Sequence, residues 1–127
     1  MAKKEFTFYG KTLEELKKMS LNEFAQLTNA RIRRSLLRGL TDAEKILLGV
    51  IKDGNPKIKT HCREMIILPE MVDKTILVYN GKEFIAVQIT SGMLAHRLGE
   101  FVPTRRGVKH SAPGIGATKS SAAMSVK

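Results

Sequence analysis

The chain has 127 residues, enough for one hydrophobic core and too few for two ordinary domains, so a single body with loose ends is expected. Its 22 Lys and Arg against 12 Asp and Glu give a formal net charge of +10, a positive field that favours polyanions, nucleic acid before an anionic membrane surface. No apolar run approaches the roughly 18 to 20 residues of a membrane-spanning helix, and Met1-Ala2-Lys3-Lys4 opens no signal-peptide pattern. The single Cys62 has no partner for an internal disulfide, so a reducing, cytoplasmic setting without a membrane is expected.

Residues 1–30 read as a helical N-terminal extension. Their lysines (3, 4, 11, 17, 18) are almost balanced by glutamates (5, 14, 15, 23), so the charge excess lies beyond Ala30. Thr12-Leu13-Glu14-Glu15 and Ser20-Leu21-Asn22-Glu23 are capping boxes, in which a hydroxyl and a carboxylate satisfy free amides at a helix start, and two short helices follow. Leu13, Leu16, Leu21, Phe24, Ala25 and Leu27 keep helical spacing, which suits docking on the main body or on a partner.

Arg31, Arg33, Arg34 and Arg38 then crowd one short stretch, with no acidic residue between Glu23 and Asp42. On a helix Arg31, Arg34 and Arg38 share a face, while Ile32 and Leu36 lie on another. Arginine suits phosphate because its planar fork makes bidentate bonds and stacks on bases. A solvated charged face is the alternative, and the missing acidic compensation favours nucleic-acid contact. A third capping box, Thr41 to Glu44, starts a helix with a core stripe predicted at Ala43, Ile46, Leu47, Val50 and Ile51 and a stop at Gly54.

After Asn55-Pro56 the segment Lys57 to Arg63 reads as an extended basic stretch. His61 beside Cys62 does not make a metal site, because neighbours in a strand point to opposite faces and no second Cys offers zinc spacing. Thr75 to Tyr79, Asn80-Gly81 and Lys82 to Ile89 predict an antiparallel hairpin with a two-residue type I′ turn. Ile66-Ile67-Leu68, stopped by Pro69, supplies the third strand. Apolar residues on both hairpin faces require cover by helices or RNA on more than one side.

Thr90 or Ser91 is expected to cap a helix through Met93, Leu94 and Leu98, stopped by Gly99 and carrying His96 and Arg97. His96 has no readable nucleophile or orienting partner, so a catalytic role is not expected and the chain is read as a non-enzyme. Glu100 to Arg106 leaves that helix extended. From Gly107 the chain is rich in small residues, lacks acidic ones and carries Lys109, Lys119 and Lys127: a flexible basic tail that can order in an anionic groove. Gly114-Ile115-Gly116 is not a dinucleotide fingerprint, and no cofactor is expected.

The fold expected is α+β: a small three-stranded, mainly antiparallel sheet packed with short helices, its core spanning residues 31–106 and its tail 107–127. Candidate RNA contacts are Arg31, Arg33, Arg34, Arg38, Lys57, Lys59, Arg63, His96, Arg97, Arg105, Arg106 and Lys109, with His96 either meeting RNA or serving structure.

Ile58 to Val72, Val78-Tyr79-Asn80-Gly81-Lys82, and Gln88-Ile89-Thr90 through His96 to Arg105 closely resemble the small-subunit ribosomal protein nineteen family, and Arg34 to Gly39 looks like its N-terminal basic motif. The resemblance covers about residues 31–106, and the two ends look like the archaeal and eukaryotic branch. Ala95 departs from it, standing where the family usually has glycine. The resemblance implies a structural protein of the small-subunit head, bound to small-subunit rRNA, paired with small-subunit protein thirteen and near the aminoacyl-tRNA site, toward which the tail reaches. A free-standing chromosomal or RNA-chaperone type of nucleic-acid-binding protein is the alternative, separable by its affinity for duplex DNA. An RNA-modifying enzyme would need a catalytic constellation that the sequence does not display.

Overall fold

Hydroxyl side chains set the starts of three α-helices. In the computed structural model, which describes residues 4–109, α1 (Leu13–Lys18), α2 (Leu21–Leu27) and α4 (Asp42–Lys52) begin at Thr12, Ser20 and Thr41, each closing a complete capping box. The returning carboxylates of Glu15, Glu23 and Glu44 each accept the cap's own N–H at 2.8 Å. These bonds, first from the backbone N–H of Thr12 and of Ser20 and then from their hydroxyls, hold the Glu15 and Glu23 carboxyls below the ordinary glutamate range. Helix α3 (Ala30–Leu37) lacks the box and starts on Asn29, whose Oδ1 accepts from Ile32 N–H at 3.0 Å.

Ahead of these helices lies a small hairpin, β1 (Thr7–Phe8) with β2 (Lys11–Thr12), absent from the sequence reading. Its turn residues, Tyr9 and Gly10, have φ of 47° and 79°, the paired positive values of a type I′ turn. Tyr9 holds such a conformation at a steric cost that Gly10 does not incur.

A three-stranded sheet orders β3 (Ile58–Thr60), β4 (Thr75–Tyr79) and β5 (Phe84–Gln88), with β4 central. Strands β4 and β5 form the expected antiparallel hairpin, Tyr79 opposite Phe84 and Thr75 opposite Gln88. The α+β class and the small sheet are as expected, but the third strand is β3, lying parallel to β4, and not Ile66 to Leu68. Those residues join the fold differently: Ile66 bridges Arg97, and an irregular ladder links Leu98 N–H to Met65 O (3.0 Å), Ile67 N–H to His96 O (2.8 Å) and Ala95 N–H to Ile67 O (3.2 Å).

That ladder also replaces the helix expected over residues 91–98. The segment makes one 3-10 turn at Ser91–Met93 and another at Leu98–Phe101, with Ala95 between them at φ 60°. The amides of Ala95, Leu98 and Gly99 pair with Ile67, Met65 and Arg63, while those of Met93, Leu94 and His96 stay in local three-residue turns, so no α-helical ladder forms. Gly99 does not stop a helix; it permits close approach, since a Cβ there would lie 3.0 Å from Arg63 O and 3.1 Å from Arg63 Cβ.

The Asn80-Gly81 turn differs too. Gly81 alone has positive φ (103°), while Asn80 Oδ1 accepts from the Lys82 and Glu83 N–H groups at 2.8 Å each. The asparagine works through its side-chain acceptor and not through a left-handed backbone.

One core joins the elements. Leu16 and Phe24 from the N-terminal helices, Ile32 and Leu36 from α3, Leu47 and Ile51 from α4, and Ile58, Ile76 and Val78 from the sheet are all buried in it, with Met65 to Leu68. Helix α4 lies against β3 and the Pro69–Met71 turn. Its buried stripe is narrower than predicted: Leu47 and Ile51 are enclosed and Val50 half-buried, but Ala43 is exposed and Ile46 is 69% exposed. Successive helical residues are about 100° apart, so Ile46 lies about 100° from Leu47 and about 140° from Ile51, and packing centred on those two leaves it outside. Residues 110–127, including most of the expected tail, lie outside the described residues.

Candidate nucleic-acid interface

Helix α3 sorts its arginines by direction. Ile32 and Leu36 enter the core, which turns Arg31, Arg34 and Arg38 to solvent as the spacing predicts. Arg33 folds back instead: its guanidinium donates to the carbonyls of Ala25 (3.4 Å), Gln26 (3.2 Å) and Thr28 (2.9 Å). These acceptors close α2, which has no basic residue in its own last turn, so Arg33 supplies the cation that a helix C-terminus favours.

Arg31 opens onto a cleft of about 450 Å³ between the N-terminal hairpin and the 94–100 segment, lined also by Phe8, Tyr9, Ala95, His96, Arg97 and Glu100. Arg31 is thus brought together with two candidates far along the sequence, His96 and Arg97. Arg97 is braced by bonds to Glu64 O (3.0 Å) and Ser35 Oγ (3.2 Å). His96 Nδ1 lies 2.6 Å from Glu100 Oε2, with its ring edge-on to Phe101. Tyr9, 69% exposed, stands at the rim as a ring free to meet a base. The spacing Phe6-Thr7-Phe8-Tyr9-Gly10 carries the signal for this hairpin, an aromatic alternation ending at a glycine.

The remaining candidates occupy other faces. Lys57 and Lys59 are exposed at β3. Arg63 is half-buried and donates to three carbonyls, Tyr79 (2.7 Å), Gly99 (3.1 Å) and Val102 (2.9 Å), tying the β4 end to the Leu98–Phe101 turn and the residue after it. Arg105, Arg106 and Lys109 are exposed beyond Val102; Arg106 pairs with Glu83 and shares a shallow cleft with Asn80, Gly81 and Lys82 of the hairpin loop. The arginines therefore divide into those with open forks (Arg31, Arg34, Arg38, Arg105) and those engaged within the chain (Arg33, Arg63, Arg97, Arg106).

Such a surface, cationic on several faces and rigid beneath, suits a folded polyanion that surrounds the protein better than a single linear groove would. A family model described as ribosomal protein S19 matches residues 26–110, more than half of the chain. The chain is also 49% identical over 119 residues to the small ribosomal subunit protein uS19 of Methanococcoides burtonii, covering 94% of this chain and 87% of that protein. The chain therefore belongs to the ribosomal protein S19 family.

Proposed function

We propose that this protein is a structural constituent of the small ribosomal subunit, seated in its head, where it binds small-subunit rRNA and supports translation near the aminoacyl-tRNA site. The observation that carries the reading is the α3 face, where Arg31, Arg34 and Arg38 project from a helix anchored by Ile32 and Leu36 with no carboxylate between Glu23 and Asp42. Open guanidinium forks on a fixed helix position phosphates with little ordering cost, and each phosphate neutralised releases counterions.

In this reading Lys57, Lys59, Arg105 and Lys109 add contacts on other sides, and the cleft of Arg31, His96, Arg97 and Tyr9 receives an RNA segment leaving a helix. The division into an N-terminal extension, a core and a basic tail follows the same logic, with α1 and α2 bracing α3 and the tail threading between RNA strands. Family membership supports small-subunit protein thirteen as the neighbour and the ribosome of the cytoplasm as the location. The residues from His110 onward are proposed to reach toward tRNA in the decoding region. The role is architectural, with no turnover and no cofactor.

Binding of the full chain to a transcript of the small-subunit head domain, to an unrelated structured RNA and to duplex DNA, each over a salt series, tests the proposal. Selective, salt-resistant binding to the head domain is expected. Equal affinities that collapse together with salt would instead identify a free-standing nucleic-acid-binding protein.

A further inference from the structure

The sheet has one face packed on the helices and one face open. Inward lie Ile58, Ile76, Val78 and Val87, all buried. The register places Lys59 beside Leu77 and Leu77 beside Ala86 on the outer face, with Tyr79 opposite Phe84. At the loop end of that face three rings meet. His61 lies 4.5 Å from Tyr79 and 5.2 Å from Phe84 between centroids, and Tyr79 lies 5.1 Å from Phe84. The Lys59 ammonium stands 5.4 Å from the Phe84 centroid.

A cross-strand aromatic pair such as Tyr79 with Phe84 is ordinary sheet stabilisation. That account leaves two observations over. His61, past the end of β3, is exposed and completes the cluster from outside the sheet. The interplanar angles of 51°, 78° and 51° show edge and tilted contacts rather than parallel stacks, so no pair of rings is closed face to face. The outward strand positions hold a lysine and no carboxylate, which opposes an acidic protein segment less than it favours a polyanion, and favours no basic partner at all.

We infer that this ring cluster is a stacking platform for an unpaired base of RNA, with Lys59 holding the adjoining phosphate. The inference rests on the RNA-binding reading above and adds a site of a different chemistry. The arginines of α3 meet backbone phosphates, whereas the platform takes the flat face of a base, which is uncharged and present only where the RNA is single-stranded or bulged. Because every base has such a face, the platform selects unpaired geometry and tolerates sequence.

The test uses the full chain and a small-subunit rRNA transcript. The double variant Tyr79→Leu/Phe84→Leu keeps apolar bulk and removes two rings, and is expected to bind on the order of 5- to 100-fold more weakly with the salt slope unchanged. Tyr79→Phe, which keeps the ring, should bind like the native protein, and Lys59→Gln should lower the salt slope by roughly 0.7 to 0.9. Should the double variant lose its native circular dichroism, ultraviolet crosslinking of the native chain decides: crosslinks at His61, Tyr79 or Phe84 support the platform, and crosslinks confined to other peptides overturn it. A folded double variant with native RNA affinity also overturns it, and if that variant then fails to join reconstituted subunits the rings belong to a protein neighbour. Failure of the native chain to bind the transcript would remove the RNA reading as well, an outcome distinct from native binding that is indifferent to the rings.

Discussion

Replacing Arg63 with lysine keeps the charge and removes the fork, and the structure specifies what that should cost. The guanidinium joins Tyr79, Gly99 and Val102 through three carbonyl acceptors at 2.7 to 3.1 Å, so it clamps the end of β4 to the segment after Leu98. A hydrogen bond to a charged donor contributes about 1.5 to 3 kcal/mol. The site is half-buried, so water can replace part of the loss and the low end of that range applies to each bond. Lysine can keep one of the three, because its ammonium is a point donor at the end of a different stem. Two bonds at the low end give a destabilisation of about 3 kcal/mol, or a fall in melting temperature of roughly 12 to 24 °C for a body of this size. Thermal unfolding followed by circular dichroism measures it, with Arg34→Lys as the exposed control, expected within about 0.5 kcal/mol of native. An Arg63→Lys protein that melts within a few degrees of native but has a salt slope reduced by about one phosphate would refute the clamp and make Arg63 an RNA contact.

Three further outcomes are expected. Ala95→Gly should raise stability by about 0.5 to 1 kcal/mol, because φ of 60° strains alanine by about 1 to 2 kcal/mol and glycine returns part of that as chain entropy; an unchanged or lower urea midpoint contradicts the strain. Arg33→Ala should cost about 1 to 3 kcal/mol by freeing the carbonyls that close α2, while Arg34→Ala stays near native stability and loses RNA affinity, and the reverse order in denaturant melts would exclude the assignment. The third concerns pH: Glu15 and Glu23 have folded-state values below the ordinary 4.5, so their contribution is complete above about pH 4.5 and is lost as pH falls through the lowered values. Helicity titrated from pH 6 to 2 should therefore fall less steeply in Glu15→Gln/Glu23→Gln than in the native chain, and parallel curves would show that the two carboxylates contribute nothing.

What could be read from the chain was what the chain determines locally. Thr12, Ser20 and Thr41 announce their helices because the hydroxyl, the carboxylate and the amides they satisfy lie within four residues. The β4–β5 hairpin was legible for the same reason, although Asn80 serves through its side chain. Where the partner is distant the reading failed. Ile66 to Leu68 has strand-like residues, but its amides and carbonyls meet residues 95–98 about thirty positions away, and the same pairing dissolves the helix expected there. The departure at Ala95, where the resemblance leads one to expect glycine, acquires a physical meaning only from φ of 60°, a left-handed backbone that the sequence does not display. Arginines posed the widest problem: Arg33 and Arg34 are neighbours of equal charge, and only the path of α2 makes one a brace and leaves the other open.

The ladder between residues 63–67 and 95–99 also has a consequence for synthesis. Arg63 and Gly99 are 36 residues apart, so at roughly 5 to 20 residues per second the apolar run Met65 to Leu68 has no edge partner for about 2 to 7 s after it is made. During that interval it is a fully apolar segment with free amides, able to recruit a strand from another nascent copy. Arrival of residues 95–99 ends the hazard, because Ala95, His96, Leu98 and Gly99 satisfy the edge and Gly99 adds its carbonyl to that of Tyr79 at Arg63, which Val102 completes three residues later. Release of the chain before that point, or slow elongation across residues 70–99, would therefore yield aggregates rather than a slowly folding monomer.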